Sequence, residues 1–303
     1  MQRRCSRNFA NDSGTNMKRG LFNFAAGAAF ASATWAASVA AQSPLESAVC
    51  GPEELRMAAR YRDIAERHRV KPPTGSVPVS FEVNDVRLSG HKLEARSVSP
   101  STAHQGVLLV FQGNAMLAEQ ILGEFVPFAR AGLDVYVIDY RGFADSGGDP
   151  YLRAIVADYQ AIAQRLSREN KGRLFIYGMS FGAGLALKVL NSGVDYRAAV
   201  IDAAPSRFLK FKILCLVSVN ALKCPDEYHP QNNVPADVSR ILFLHGSSDS
   251  VIRTCDADDL KKQVEQKRGV FRVLDNFAHP MQDDKDQRAE RNRVVLEFLS
   301  RHF

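Results

Sequence analysis

Three side-chain types recur in this chain at positions that could run nucleophilic chemistry. Gly178-Met179-Ser180-Phe181-Gly182 follows the apolar run Leu174–Tyr177 and leads into a helical pattern. A serine set between small residues at a strand-to-helix junction is held on a tight turn, with its hydroxyl exposed above the sheet. A bulky side chain at Gly178 or Gly182 would meet the neighbouring strand or helix. A serine hydroxyl is a weak nucleophile at neutral pH. It needs a base for its proton, a carboxylate to orient that base, and donors for the oxyanion that forms. Asp249, in Ile241-Leu-Phe-Leu-His245-Gly246-Ser-Ser-Asp249, is the candidate acid, and Asp202, at another strand end, is the second choice. His279, in Asp275-Asn276-Phe277-Ala278-His279-Pro280, is the candidate base. His68, His91, His104, His229, His245 and His302 are expected to be surface or packing residues. The oxyanion donors would be the backbone N–H groups of Phe181 and of Asn114, where Gly113 in Gln112-Gly113-Asn114-Ala115 permits the necessary turn.

The elements that must position these residues are legible as alternating runs. Strands are expected at Val79–Val83, Leu93–Val98, Val107–Phe111, Val135–Ile138, Leu174–Tyr177, Ala198–Ile201, Ile241–Leu244 and Val270–Leu274, with a hairpin-like turn at Leu88–His91. Helical spacing covers Glu53–Arg69, Leu117–Ala131, Arg153–Arg168, Ala183–Leu190 and Val294–Phe303. Several strand runs are apolar without alternation, as in strands buried on both faces. The alternation predicts an α/β fold, a mostly parallel central sheet with helices on both faces. Residues 42–303 read as a single domain, interrupted at about 205–239 by one irregular insertion, a short cap. Its apolar residues, among them Phe208, Leu209, Phe211, Ile213 and Leu214, could line an acyl pocket or simply pack as a helix against the sheet.

Charge excludes one class of function. The formal surplus of +6 is concentrated in residues 1–41, which hold Arg3, Arg4, Arg7, Lys18 and Arg19 against Asp12. The rest is nearly balanced and has no dense basic cluster, so nucleic-acid binding has no support. Residues 1–41 read as an N-terminal extension and signal peptide. Met17-Lys18-Arg19-Gly20 is a positive start, Leu21–Val39 is an apolar, Ala-rich core, and Val39-Ala40-Ala41 is a cleavage site before Gln42. Translation is expected to begin at Met17 and the protein to be exported, periplasmic or secreted. The alternative is a membrane anchor over residues 21–40, left uncleaved. Export agrees with Cys50, Cys215, Cys224 and Cys255, an even set that suggests disulfides in three possible pairings. Cys215 and Cys224 are near enough to staple a small loop, which would leave Cys50 with Cys255. Four buried thiols are the alternative. No metal-ligand spacing, phosphate loop or dinucleotide fingerprint is present, so no cofactor is expected.

Taken in order, these motifs resemble the α/β-hydrolase superfamily over about residues 79–303. They are most similar to the Bem46-like and serine-aminopeptidase-like hydrolases. Those carry a His-Gly-Asn-Ala loop, an Asp-Tyr-Arg-Gly-Tyr-Gly-x-Ser-x-Gly segment, a Gly-x-Ser-x-Gly elbow and a His-Gly-x-x-Asp acid motif. Here the corresponding segments are Gln112–Ala115, Asp139-Tyr140-Arg141-Gly142-Phe143-Ala144-Asp145-Ser146-Gly147-Gly148, Gly178–Gly182 and His245–Asp249. Gln112 replaces the family's His, Ala144 replaces a Gly, and Pro280 follows His279 where a small polar residue is usual. Gln112 can still donate hydrogen bonds, so tuning of the oxyanion loop rather than its loss is expected. The resemblance implies a serine hydrolase with an ester or acyl small-molecule substrate, carboxylic esters being favoured. Peptidase, thioesterase or acyltransferase chemistry on the same triad, and a non-catalytic binding protein on this scaffold, are the alternatives.

Overall fold

The computed structural model describes residues 53–96, 104–208, 210–213, 217–220 and 224–303. The chain divides between Gln42 and Ser43, and all described residues fall in the second unit. The expected signal segment, Cys50 and Cys215 lie outside the described residues.

In chain order the elements are α1 (Glu53–Glu66), β1 (Ser76–Val83), β2 (Val86–Leu93), β3 (Gly106–Phe111), α2 (Ala118–Ile121), α3 (Val126–Arg130), β4 (Leu133–Ile138), α4 (Leu152–Glu169), β5 (Leu174–Met179), α5 (Phe181–Leu190), β6 (Ala198–Asp202), β7 (Lys210–Ile213), β8 (Val217–Asn220), β9 (Ile241–Gly246), α6 (Asp258–Gln266), β10 (Val270–Leu274) and α7 (Lys285–Ser300). Eight strands form one sheet in the order β1-β2-β4-β3-β5-β6-β9-β10. From β4 to β10 the pairing is parallel, whereas β1 with β2 and β2 with β4 are antiparallel. Every residue of β3, β5, β6 and β9 is buried, the reason their apolar runs do not alternate. Two cores flank the sheet. Ile155, Tyr159 and Ile162 of α4, Leu187 of α5 and Leu260 of α6 fill one. Ile121 of α2, Phe128 of α3 and Val294, Val295 and Leu299 of α7 fill the other.

Four expectations need correction. The second strand runs over Val86–Leu93, not Leu93–Val98. The first hairpin turns at Asn84-Asp85, not at Leu88–His91. Both residues take positive φ (47° and 59°), as a two-residue primed turn requires, and Val83 pairs with Val86. Gly90 lies inside β2, where a Cβ would stand 2.3 Å from the Val137 carbonyl oxygen, so this glycine marks a close backbone approach. The helical run Leu117–Ala131 is broken into α2, a 3-10 turn (Leu122–Phe125) and α3, whose first turn contains Pro127, a residue with no N–H to give to a continuing helix. The closing helix starts nine residues earlier than expected, at Lys285 rather than Val294. Asp284 caps it by accepting the Asp286 and Gln287 N–H groups, while the Gln287 side chain reaches back.

Within the 205–239 insertion, β7 and β8 pair as an antiparallel hairpin where packing as a helix had been one expectation. Two 3-10 turns follow, Asp226–Tyr228 and Pro230–Asn233. Cys224 is disulfide-bonded.

Candidate active site

The parallel strands all deliver their C-terminal ends to one edge, and Ser180 directly follows β5 there. Its φ of 55° and ψ of −121° are a conformation that a non-glycine residue adopts only under constraint. The constraint is visible. The Ser180 N–H donates to the Asp202 carbonyl at 2.8 Å, and α5 begins at the next residue. A Cβ at Gly182 would fall 2.2 Å from the Phe111 oxygen and 2.3 Å from that of Gln112, so α5 starts directly against the end of β3. A Cβ at Gly178 would be 2.8 Å from Ala183 and Ala186 of α5.

Asp249 lies just past β9. Its Oδ1 accepts the N–H groups of Val251 (2.9 Å) and Ile252 (2.8 Å), which leaves Oδ2 facing His279 Nδ1 at 2.7 Å. Both side chains are buried. With Nδ1 held by a carboxylate, the proton sits there and Nε2 is the basic nitrogen. His245, expected to be a surface or packing residue, braces this acid from below. It is fully buried, and its Nε2 meets the Ile252 carbonyl at 2.7 Å, on the same turn whose N–H holds Asp249. The His279 loop packs on the acid's strand. A Cβ at Gly246 would fall 2.3 Å from the Phe277 oxygen, and the Ser248 N–H donates to that same oxygen. Asp202, the second-choice acid, is engaged elsewhere. Its carboxylate binds Arg291 at 2.7 and 3.0 Å and the Tyr177 hydroxyl at 2.8 Å. Among the described residues no hydrogen bond joins the Ser180 hydroxyl to the His279 ring.

The loop expected to supply an oxyanion donor follows β3, whose last residue, Phe111, pairs with Gly178. A Cβ at Gly113 would lie 3.5 Å from Ser180 Cβ, so the loop passes against the serine. The Phe181 N–H lies in the first turn of α5, where no intrahelical acceptor exists. Neither it nor the Asn114 N–H has a backbone acceptor among the described residues. Gln112 is braced through its backbone: its carbonyl accepts the Tyr140 hydroxyl at 2.7 Å. Its side-chain Oε1 is 3.3 Å from the Tyr159 hydroxyl, and Nε2 is buried with no partner among the described residues.

The Asp139–Gly148 segment supports that loop. Asp139 Oδ1 accepts the Ala118 N–H at 2.7 Å, and burial pushes its carboxyl up to about 7. Arg141 grips the buried Asp158 with two bonds of 2.6 Å. Ala144, where the resemblance has Gly, takes a φ of 46°, and its N–H is held by Glu66 at 2.8 Å. Sequence reasoning missed Arg291, Asp283 and the bracing role of His245. The only signal for His245 was its place in His245-Gly246-Ser-Ser-Asp249.

Solved structures share the fold. An esterase from Pyrococcus furiosus, Pf2001, superimposes with a TM-score of 0.56 at 18% identity, over 77% of this chain and 98% of its own. XC6422 from Xanthomonas campestris, described as an a/b serine hydrolase without lid, does so at 0.54 and 16%, over 77% and 97%. The chain has the α/β-hydrolase fold. Within that fold, residues 102–240 match the hydrolase family model for serine aminopeptidase, S33. The uncharacterized protein YfhR of Escherichia coli K12 is 26% identical over 238 residues, 75% of this chain and 82% of its own. Protein bem46 of Schizosaccharomyces pombe is 25% identical over 172 residues, 51% and 54% of the two chains. This chain is also similar to a puromycin-hydrolyzing peptidase of Mycobacterium tuberculosis, with a TM-score of 0.57 at 16% identity, over 76% of this chain and 40% of that one.

Proposed function

We propose that this protein is an exported serine hydrolase that cleaves carboxylic esters through an acyl-enzyme on Ser180. The single observation that carries the reading is the buried 2.7 Å pair of Asp249 and His279, on strand ends at the same sheet edge as the Ser180 turn. In the reaction, Ser180 Oγ attacks the ester carbonyl carbon while His279 Nε2 takes the hydroxyl proton. The carbonyl oxygen becomes an oxyanion and receives the Phe181 and Asn114 N–H groups, each donor worth about 3 kcal/mol of barrier. Collapse breaks the bond to the alcohol, which leaves with the proton from His279. Water then attacks the acyl-serine, with His279 as base again, and releases the acid. Asp249 holds the ring and stabilises the imidazolium.

Turnover of p-nitrophenyl acetate and butyrate tests this. Ser180→Ala should lose both activity and labelling by a fluorophosphonate probe; a variant matching wild type would overturn the mechanism. An amide-cleaving reading is favoured by the aminopeptidase family model and the puromycin-hydrolyzing neighbour. Parallel rates on ester, thioester and amide substrates with the same acyl group separate the readings. Export is supported by the Met17–Ala41 pattern and by the disulfide at Cys224. N-terminal sequencing of the mature protein should begin at Gln42; an intact 21–40 segment in the membrane fraction would indicate anchoring.

A further inference from the structure

Behind the Asp249–His279 pair lies a second set of buried charges. Arg291 projects from α7 and is 3% exposed; Asp202 and Asp283 are 0% and 2% exposed. The guanidinium uses all three of its nitrogens. Nε binds Asp283 Oδ2 at 2.6 Å, Nη1 binds the Asp202 carboxylate, and Nη2 donates to the Ala278 carbonyl at 2.9 Å. Asp283 Oδ1 accepts the Ala278 N–H at 2.8 Å. Both backbone polar groups of the residue just before His279 are therefore fixed by this cluster. Asp202 belongs to two bonded systems at once. Its carboxylate is held by Arg291 and Tyr177, and its carbonyl accepts the Ser180 N–H. The guanidinium also lies over the Phe277 ring, 5.4 Å from its centre.

We infer that Arg291 is a positioning residue: one guanidinium sets the distance between the Ser180 turn and the His279 loop, by gripping Asp202 beneath the first and Ala278 beside the second. This rests on the serine-hydrolase reading above. Stability alone does not call for such a cluster, because buried ion pairs are often replaceable by apolar groups of similar volume without loss. What apolar packing lacks is direction. A planar fork with fixed donors sets three acceptors at defined angles, which the point charge of a lysine does not reproduce. Burial pulls the guanidinium down, but Asp202 and Asp283 outweigh it and hold it above its ordinary range, so the fork stays charged.

The test is Arg291→Lys, which keeps the charge and loses the fork. Rates are taken per active site, titrated to completion with a fluorophosphonate. We expect kcat to fall about 10- to 100-fold, the cost of an ångström-scale misplacement. KM should stay within about twofold, and phosphonylation should slow in parallel. Asp283→Asn, which retains an acceptor for the Ala278 N–H, should lower kcat in the same direction by a smaller factor. Lowered thermal stability with wild-type kcat in both variants would make the cluster merely structural and overturn the inference. If neither variant folds, exchange of the Ala278 amide proton in the wild type decides. Exchange as slow as in β5 and β6 supports the clamp, and exchange at the rate of an open loop overturns it. Ser180→Ala separates the two levels of the argument: if it retains turnover, the serine mechanism fails; if it is inactive while Arg291→Lys is not impaired, only the clamp fails.

Discussion

Arg69 and Glu119 meet side by side, Nε on Oε1 and Nη2 on Oε2, both at 3.0 Å, with the Val70 N–H adding a third bond to Oε1. Glu119 is 7% exposed. The pair joins the segment after α1 to α2, which itself follows the Asn114 loop. The Gln120 side chain adds bonds to the carbonyls of Ala65 and His68.

Arg69→Ala should therefore cost more than an ordinary surface ion pair, because it strands a mostly buried carboxylate. Arg69 itself is partly solvent-exposed, which discounts the loss to about 1–2 kcal/mol. Urea unfolding of the variant and of Arg69→Ala/Glu119→Gln measures it. The double variant should recover part of the loss; equal stability of wild type and Arg69→Ala would refute the assignment.

Asp139 predicts a pH dependence. Burial raises its carboxyl from 3.8 to about 7, with the Ala118 bond and Arg69 opposing and the nearby Glu119 and Asp145 adding to it. An acid raised on folding binds its proton more tightly in the folded state. Its contribution is therefore most favourable below about pH 4, declines as the pH climbs towards 7, and is level beyond that. The span is on the order of 4 kcal/mol at most. Asp139→Asn keeps an acceptor for Ala118 and removes this titration. Urea midpoints of the two proteins should diverge in the variant's favour between pH 4 and 7; parallel curves would count against the raised carboxyl.

Gly182→Ala should be disproportionately harmful for one added methyl. The Cβ would meet the backbone oxygens of Phe111 and Gln112 and no flexible side chain that could move aside. The start of α5 must back away from β3, shifting Ser180 and the Phe181 N–H together. We expect a loss of about 1–3 kcal/mol in stability and about 100-fold in kcat, read by unfolding and by fluorophosphonate labelling. Labelling at the wild-type rate would show that the contact is not rigid.

The strand-end residues were legible in the sequence because each is announced locally. Ser180 has its flanking glycines, Asp249 follows the fully buried apolar run of β9, and His279 follows β10, an apolar but largely exposed edge strand. The layered fold was legible for the same reason: a strand buried on both faces leaves an unbroken hydrophobic stretch. Arg291 was not, since it sits in Lys285-Asp-Gln-Arg-Ala-Glu-Arg291-Asn-Arg, which reads as a solvated helix face. Only the tertiary approach of Asp202 and Asp283 distinguishes it from Arg288 or Arg293 beside it. Gly90 misled in the opposite direction. Its glycine signature suggests a turn, but the cause lies on β4, 47 residues away at the Val137 carbonyl.

The bond from the Ala144 N–H to Glu66 bears on how this protein can be shortened. A version starting at Ser76 would keep every strand of the main sheet and all three proposed reacting side chains. It would nevertheless strip Ala144 of the acceptor that holds it in a left-handed turn and take from Glu119 its bonds to Arg69 and the Val70 N–H. The shortest version that keeps both contacts therefore reaches back to α1, well upstream of the first strand.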